Sequence, residues 1–325
     1  MATPLFDCLR QAYRDDFLVA VVRCYVKGIL DPNPWFDRVI GSEDKTFGGF
    51  FGIIRKIQRL RPDIALVLPN SMRAALIARL SGSRQVFGYR RAGRSMLLSG
   101  GPEPEMEGGR IKPVPMVHYY LKFARWLGLP PPPHIRPQLF ISDPQRQRAE
   151  ALLARWGIDC NDSVVGLNPG ARFGSSKCWP AEHFARLAEM LERRWSCKIL
   201  LLIGPGEEKL GERITQFSRV NIINTGADRV DLATLKPIVK RCRLLITNDT
   251  GPRHYAVALG VPAVVMMGPT DPRYTQANLS NTIVLRRDLE CAPCHEKRCP
   301  RNHECMTAIT PQAVMDAAAT LYRTN

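Results

Sequence analysis

What most limits the folds open to this chain is a repeated alternation. Short, continuously apolar segments are separated by stretches with helical apolar spacing. Residues 163–167, 198–203, 221–224, 244–247 and 263–267 are strand-sized, and 183–194, 207–217, 232–241 and 254–259 between them read as helices. A strand that is apolar on every residue must be covered on both faces, so the alternation predicts a parallel sheet between two helical layers. None of the apolar runs approaches the roughly 20 residues that a membrane-crossing helix needs.

The first half repeats the theme less cleanly. Leu5, Phe6, Leu9 and Tyr13 fall at helical spacing, and Pro4 suits a first helical turn. Segments 17–22 and 64–68 read as strands and 49–59 as a helix, while 99–113 is turn-rich and reads as a mobile loop. The prolines at 130–133, followed by Pro137, form a stiff extended connector and place a hinge nearby. The division expected is 1–158 and 159–325, two Rossmann-like α/β domains with an interdomain cleft. Residues 311–321 predict a last helix, capped by Thr310, packing back across the hinge.

Hydrophobic residues make up 45% and charged residues 23% of the 325, an ordinary globular mix that excludes a disordered chain. Lys and Arg number 46 against 30 Asp and Glu, a net charge of +16, with the larger share of the excess before residue 160. That sign favours anionic partners: nucleic acid, acidic lipid surfaces or phosphorylated small molecules. Zinc-finger spacing, aromatic RNA-binding motifs and long basic helices are missing from the sequence, so nucleic acid is not the expected partner. The opening residues carry no basic leader followed by an apolar stretch, and a cytoplasmic protein is expected.

Ligands of open α/β sheets sit beyond the carboxyl ends of the strands, and here those ends carry unusual residues. After 163–167 come Asn168, Gly170, Ala171 and Lys177, small residues that let backbone N–H groups approach an anion, plus one ammonium. After 198–203 come Gly204, Gly206, Glu207 and Glu208, where a carboxylate can accept hydrogen bonds from ribose hydroxyls. After 244–247 come Asp249, Thr250, Gly251 and His254, at a helix start where N–H groups can hold phosphate. A further tight turn, 268–272, ends the last strand. Each taken singly reads as a helix cap or a surface loop. Together on one sheet edge they read as a nucleoside diphosphate site.

Four of the ten cysteines, Cys291, Cys294, Cys299 and Cys305, form a C-x2-C-x4-C-x5-C segment that also holds His295 and His303. The density resembles a metal site but the spacing is not that of a paired zinc ribbon. Zinc, an iron–sulfur centre, disulfides and a packed insert of free thiols all stay open, so a structural metal is not decided by the sequence.

Residues 168–180, with Lys177 and Trp179-Pro180, together with 247–254 and Gly268-Pro269-Thr270-Asp271-Pro272, closely resemble the ADP-heptose:lipopolysaccharide heptosyltransferase family, glycosyltransferase family 9. Leu68-Pro69-Asn70-Ser71-Met72-Arg73 and Gly88-Tyr89-Arg90-Arg91 resemble its first-domain motifs, particularly those of the heptosyltransferase II branch. The resemblance implies a GT-B fold, with an ADP-sugar in the second domain and the acceptor in the first. It also implies an inverting transfer that requires no metal cofactor. By resemblance, Lys177 contacts the donor phosphate, Glu207 or Glu208 the ribose, Asp249 the heptose hydroxyls, and Thr250 and Gly251 the diphosphate.

Asn70, Ser71, Arg73, Arg90 and Arg91, with Arg94, are the acceptor-side candidates, facing an anionic lipopolysaccharide core from the cytoplasmic side of the inner membrane. A monomer is expected. Family members begin with a strand and a Gly-Asp loop whose aspartate is the proposed base, whereas Met1 here stands just before the helix that follows that loop. On this alignment the first strand and its aspartate are missing, an N-terminal truncation is expected, and no catalytic residue is named. Alternatives are a family member using another nucleotide-sugar or glycan, and an impaired nucleotide-binding remnant.

Overall fold

The computed structural model describes residues 1–323. Two compact units emerge, one comprising 1–135 with 273–275, the other 136–272 with 276–323. The division therefore follows the 130–133 prolines directly and does not fall at 158. Helix α5 (Asp143–Arg155) belongs to the second unit. The adjoining Trp156 indole N–H fixes it there, donating to Asp228 Oδ2 at 2.7 Å, and Arg148 pairs with Asp231.

In the first unit, α1 (Thr3–Ala12) precedes β1 (Val19–Arg23), β2 (Arg38–Ser42), α2 (Phe47–Gln58), β3 (Ile64–Val67), α3 (Met72–Leu80) and β4 (Gln85–Gly88). The strands pair in parallel as β1–β2 and β3–β4, two separate two-stranded sheets. Segment 99–113, expected as a loop, contains a hairpin of β5 (Met106–Glu107) and β6 (Arg110–Ile111). Its turn is Gly108-Gly109, both with positive φ (56° and 74°), the conformation a two-residue hairpin turn demands. Helix α4 (Met116–Trp126) closes the unit, burying Val117, Tyr119, Leu121 and Phe123.

The second unit has one six-stranded parallel sheet. Its strands are β7 (Val164–Asn168), β8 (Lys198–Leu201), β9 (Ile222–Asn224), β10 (Leu244–Asn248), β11 (Ala263–Met266) and β12 (Thr282–Leu285). They run in the order β12-β11-β10-β7-β8-β9. Helices α6 (Ala181–Trp195), α7 (Glu208–Phe217), α8 (Leu235–Arg241) and α9 (Gly251–Leu259) connect them, and α10 (Glu304–Thr307) and α11 (Pro311–Arg323) follow. Every residue of β7, β10 and β11 is buried, as the continuous apolar runs require. Thr310 does cap α11, its Oγ1 accepting from Ala313 N–H at 3.2 Å. Val314, Met315 and Ala318 of that helix join the core formed by α6 and the sheet, so its buried face belongs to the second unit. Among the described residues no helix is long and apolar enough to cross a membrane.

Candidate functional site

Strands β7 and β10 lie side by side at the centre of the sheet, and the chain winds outward from them in opposite directions. That is the switch point, where diverging connections leave a crevice beyond the strand ends. Asn248, the last residue of β10, ties the loops around it. Its Nδ2 donates to the Pro169 carbonyl at 2.6 Å and its Oδ1 accepts from the Trp179 N–H at 3.2 Å. Both ends of the loop carrying Lys177 are therefore fastened to β10. Trp179 is buried, and its indole N–H donates to the Ile309 carbonyl at 2.8 Å.

Asp249 is the hub. Lys177 Nζ donates to its carbonyl at 2.9 Å and to its Oδ2 at 2.8 Å. Thr270 Oγ1 donates to the same Oδ2 at 2.8 Å, and Arg253 Nη1 to Oδ1 at 2.7 Å. Burial alone would raise this carboxyl, but Lys177 and Arg253 overcome it and hold the pKa down at about 2. Lys177 also lies 5.2 Å from the centre of the Phe173 ring. His254 is kept neutral, its pKa pushed down to about 3 by burial and by the charge of Arg253.

A depressed carboxyl pKa means that the unfolded chain binds the proton more readily, so this group stabilises the fold above its unfolded value. Stability is lost as pH falls. From 3.8 to about 2 the shift corresponds to about 2 kcal/mol, lost across that acid window. Acid titration followed by tryptophan fluorescence is expected to show this loss, and Asp249→Asn to remove that part of the pH dependence.

Asn168 spends its amide N–H groups on Thr247 and Thr250, both at 3.1 Å, and so ties β7 to β10. Gly170 faces Glu207 so closely that a Cβ there would meet Oε2 at 1.8 Å. Glu207 Oε2 accepts from Gly204 N–H at 3.0 Å. Burial raises the carboxyl, opposed by backbone hydrogen bonds from Gly204 and Ala171. Glu208 is exposed and accepts from Gly206 N–H at 3.1 Å. Of the two glutamates, Glu207 is the one beside Gly170 and Ala171. Thr250 provides no side-chain cap for α9, and Gly251 at the helix start has open space on its Cβ side.

The cysteine segment clasps this loop. Ser176 N–H donates to the Lys297 carbonyl at 3.2 Å, and Ser176 Oγ donates to the Glu296 carbonyl. His303 Nε2 donates to the Ser176 carbonyl at 2.6 Å. His295 N–H donates to the Pro269 carbonyl at 2.9 Å. All ten cysteines are unbridged, and among the described residues no His, Cys, Asp or Glu group is arranged to hold a metal ion. The Cys305 thiol is pushed up to about 11 by burial and by its neighbours Cys299, Cys294 and Cys291. Cys291, Cys294, Cys299 and Cys305 are thus unbridged thiols, three of which act on the fourth.

Gly174 enters the clasp with φ 156°, and a Cβ there would lie 2.2 Å from the Lys297 carbonyl oxygen. Backbone cannot yield as a flexible side chain can. Gly174→Ala is expected to displace the loop and raise the KM for a nucleotide-sugar donor on the order of tenfold or more, read by steady-state kinetics.

In the first unit the acceptor-side candidates scatter. Ser71 is a helix cap, its Oγ accepting from Ala74 N–H at 3.2 Å. Arg73 pairs with Asp44 at 3.1 Å and stacks over Phe50, and Arg90 pairs with Glu103 at 3.5 Å. Arg91 is half-buried. Arg94, expected to face the acceptor, is fully buried and donates to the Tyr89 carbonyl at 3.1 Å, the Pro69 carbonyl and Asn70 Oδ1. Within this set, a side-chain hydrogen bond joins Asn70 and Arg94. Arg253, Thr270, Asn248 and Ser176 lie within the quoted motifs and His303 within the cysteine segment, but the sequence reading gave none of them a role at this site. The one available signal was Arg253 at i+4 from Asp249, a spacing that favours contact across a helix start.

The fold and site together define a GT-B chain whose second unit is a Rossmann-like sheet with charged loops at its switch point. The glycosyltransferase family 9 (heptosyltransferase) profile matches residues 51–304, and the chain belongs to that family. Lipopolysaccharide heptosyltransferase 2 of Escherichia coli is 27% identical over 340 residues, covering 97% of this chain and 92% of that protein. Lipooligosaccharide heptosyltransferase 2 of Campylobacter jejuni is 35% identical over 169 residues, 50% of this chain and 52% of its own length. The chain thus spans about half the length of that relative. The solved structure of E. coli ADP-heptose lipopolysaccharide heptosyltransferase II superposes with TM-score 0.79 at 23% identity, covering 99% of this chain and 94% of that one. These coverages do not support the expected N-terminal truncation.

Proposed function

We propose that the chain is an inverting glycosyltransferase of heptosyltransferase II type. It would move heptose from ADP-L-glycero-D-manno-heptose onto the lipopolysaccharide inner core. The observation that carries this reading is the Lys177–Asp249 pair at the switch point, beside the start of α9. Lys177 has three N–H donors and spends two on Asp249, which leaves one for a diphosphate oxygen. As the sugar–oxygen bond breaks, negative charge gathers on the departing ADP. An ammonium held in place by a buried carboxylate, with the N–H groups at the start of α9, stabilises that charge without having to reorganise.

Glu207 keeps lone pairs for ribose hydroxyls, and the remaining acceptor capacity of Asp249 suits a heptose hydroxyl. Asn70 and the basic excess of the first unit would serve an anionic acceptor at the cytoplasmic membrane surface. The names borne by the E. coli and C. jejuni relatives support the donor and the acceptor class. The base that takes the acceptor proton is not among the residues assigned.

Turnover assays with ADP-heptose and a panel of other nucleotide-sugars, on inner-core oligosaccharide, test the reading. ADP-heptose should be the donor consumed. Transfer from a different nucleotide-sugar alone, or binding of ADP-heptose with no transfer, would defeat it.

A further inference from the structure

Arg253 stands where folding least favours a cation. It is the third residue of α9, in the turn where the helix dipole favours anions, and its side chain is 1% exposed. Taking a guanidinium out of water is unfavourable, and apolar side chains in place of a buried ion pair are often neutral or stabilising. Stability alone therefore gives no reason for an arginine at this position.

Its partner supplies one. Arg253 Nη1 donates to Asp249 Oδ1 at 2.7 Å, while Oδ2 accepts from Lys177 Nζ and Thr270 Oγ1, each at 2.8 Å. Two cations thus hold different oxygens of one carboxylate, which their charges keep ionised. His254, the next residue, stays neutral through burial and the charge of Arg253. An ammonium 2.8 Å from a carboxylate is a closed pair, and a ligand a few ångströms away feels the two charges largely cancel. With Arg253 present, the cluster of Lys177, Asp249 and Arg253 carries one positive charge in excess.

We infer that Arg253 is the charge-balancing residue of the donor site: it neutralises Asp249 from within the fold and so leaves the Lys177 ammonium uncompensated toward a nucleoside diphosphate. This rests on the donor site proposed above and adds to it a positioning residue that acts through Asp249. Thr270 also holds the carboxylate, but a hydroxyl brings no charge and cannot take this part.

Three substitutions separate charge from packing. Arg253→Gln keeps an N–H donor for Oδ1 and removes the charge, Arg253→Lys keeps the charge on a different head group, and Arg253→Met keeps only an apolar stem. The probes are ADP, titrated by calorimetry onto the full chain, and adenosine, followed by ligand-observed NMR, since only ADP carries the diphosphate. Arg253→Gln should raise the ADP Kd at least about tenfold and change the adenosine Kd less than about twofold. Arg253→Lys should bring the ADP Kd back to within about threefold of the unmodified chain. Thermal midpoints show which variants fold. Where Arg253→Gln does not, Arg253→Met takes its place with the same result expected.

An ADP Kd within about twofold of the unmodified chain in Arg253→Gln would overturn the inference. So would an equal loss for adenosine, or an Arg253→Lys chain as weak for ADP as Arg253→Gln. A chain that binds ADP with this dependence on residue 253 but transfers no heptose would uphold the inference and defeat the function proposed above. An unmodified chain that does not bind ADP would defeat both.

Discussion

Asp249→Ala is expected to destabilise the second unit by about 3–5 kcal/mol, the cost typical of stripping a partner from a buried charge pair. Arg253 is only 1% exposed on its side chain, and Lys177 only 12%, so two buried cations would lose this carboxylate. Thr270 Oγ1 would lose its acceptor as well. Chemical denaturation of the full chain, followed through the second unit's tryptophans, measures this. A loss below about 1 kcal/mol would mean that the hub contributes no more than an exposed ion pair. Nucleotide-sugar turnover should fall with it, because the loops at the ends of β7, β10 and β11 all meet on this carboxylate.

Lys177→Ala is expected to separate catalysis from stability. Here the carboxylate keeps Arg253 and Thr270, so the fold loses far less than in Asp249→Ala. The rate of sugar transfer should nevertheless drop by roughly 10²–10³, the range seen when one preorganised donor to a developing negative charge is removed. Steady-state kinetics with ADP-heptose provides the number. If kcat stays within a few-fold of the unmodified chain, Lys177 is merely the structural partner of Asp249, and the leaving-group charge is stabilised elsewhere. Lys177→Arg offers a useful contrast, since the charge is retained but the compact ammonium geometry is not.

The second unit was far more legible than the first. Its strands, buried on both faces, show up as unbroken apolar runs, and residues 198–203 or 263–267 allow little else. The first unit's strands are only partly covered: in β1 one residue of five is buried, and β3 has one of four. Their sequence signal is correspondingly weak, β2, α3 and β4 escaped notice, and one expected sheet proved to be two short pairs. The hairpin inside 99–113 was hidden because two-residue strands are too short to show a period.

The site shows the same split. Strand-end glycines, Lys177, Glu207 and Asp249 were visible, because a strand followed by small or charged residues marks a ligand edge in any open α/β sheet. Arg94 misled for the opposite reason. An arginine in a loop reads as a surface cation until three acceptors are seen closing around it.

By itself, then, the amino-acid order determined the period of the elements, the doubly wound character of the second half, and the edge on which chemistry-bearing residues gather. These are local properties, written in the spacing of apolar side chains. Which charges meet was settled only in three dimensions. Lys177 and Asp249 are 72 positions apart, and Ser176 and His303 are 127 apart. The sheet order that makes them neighbours comes from packing the whole unit, and no short window of sequence encodes it.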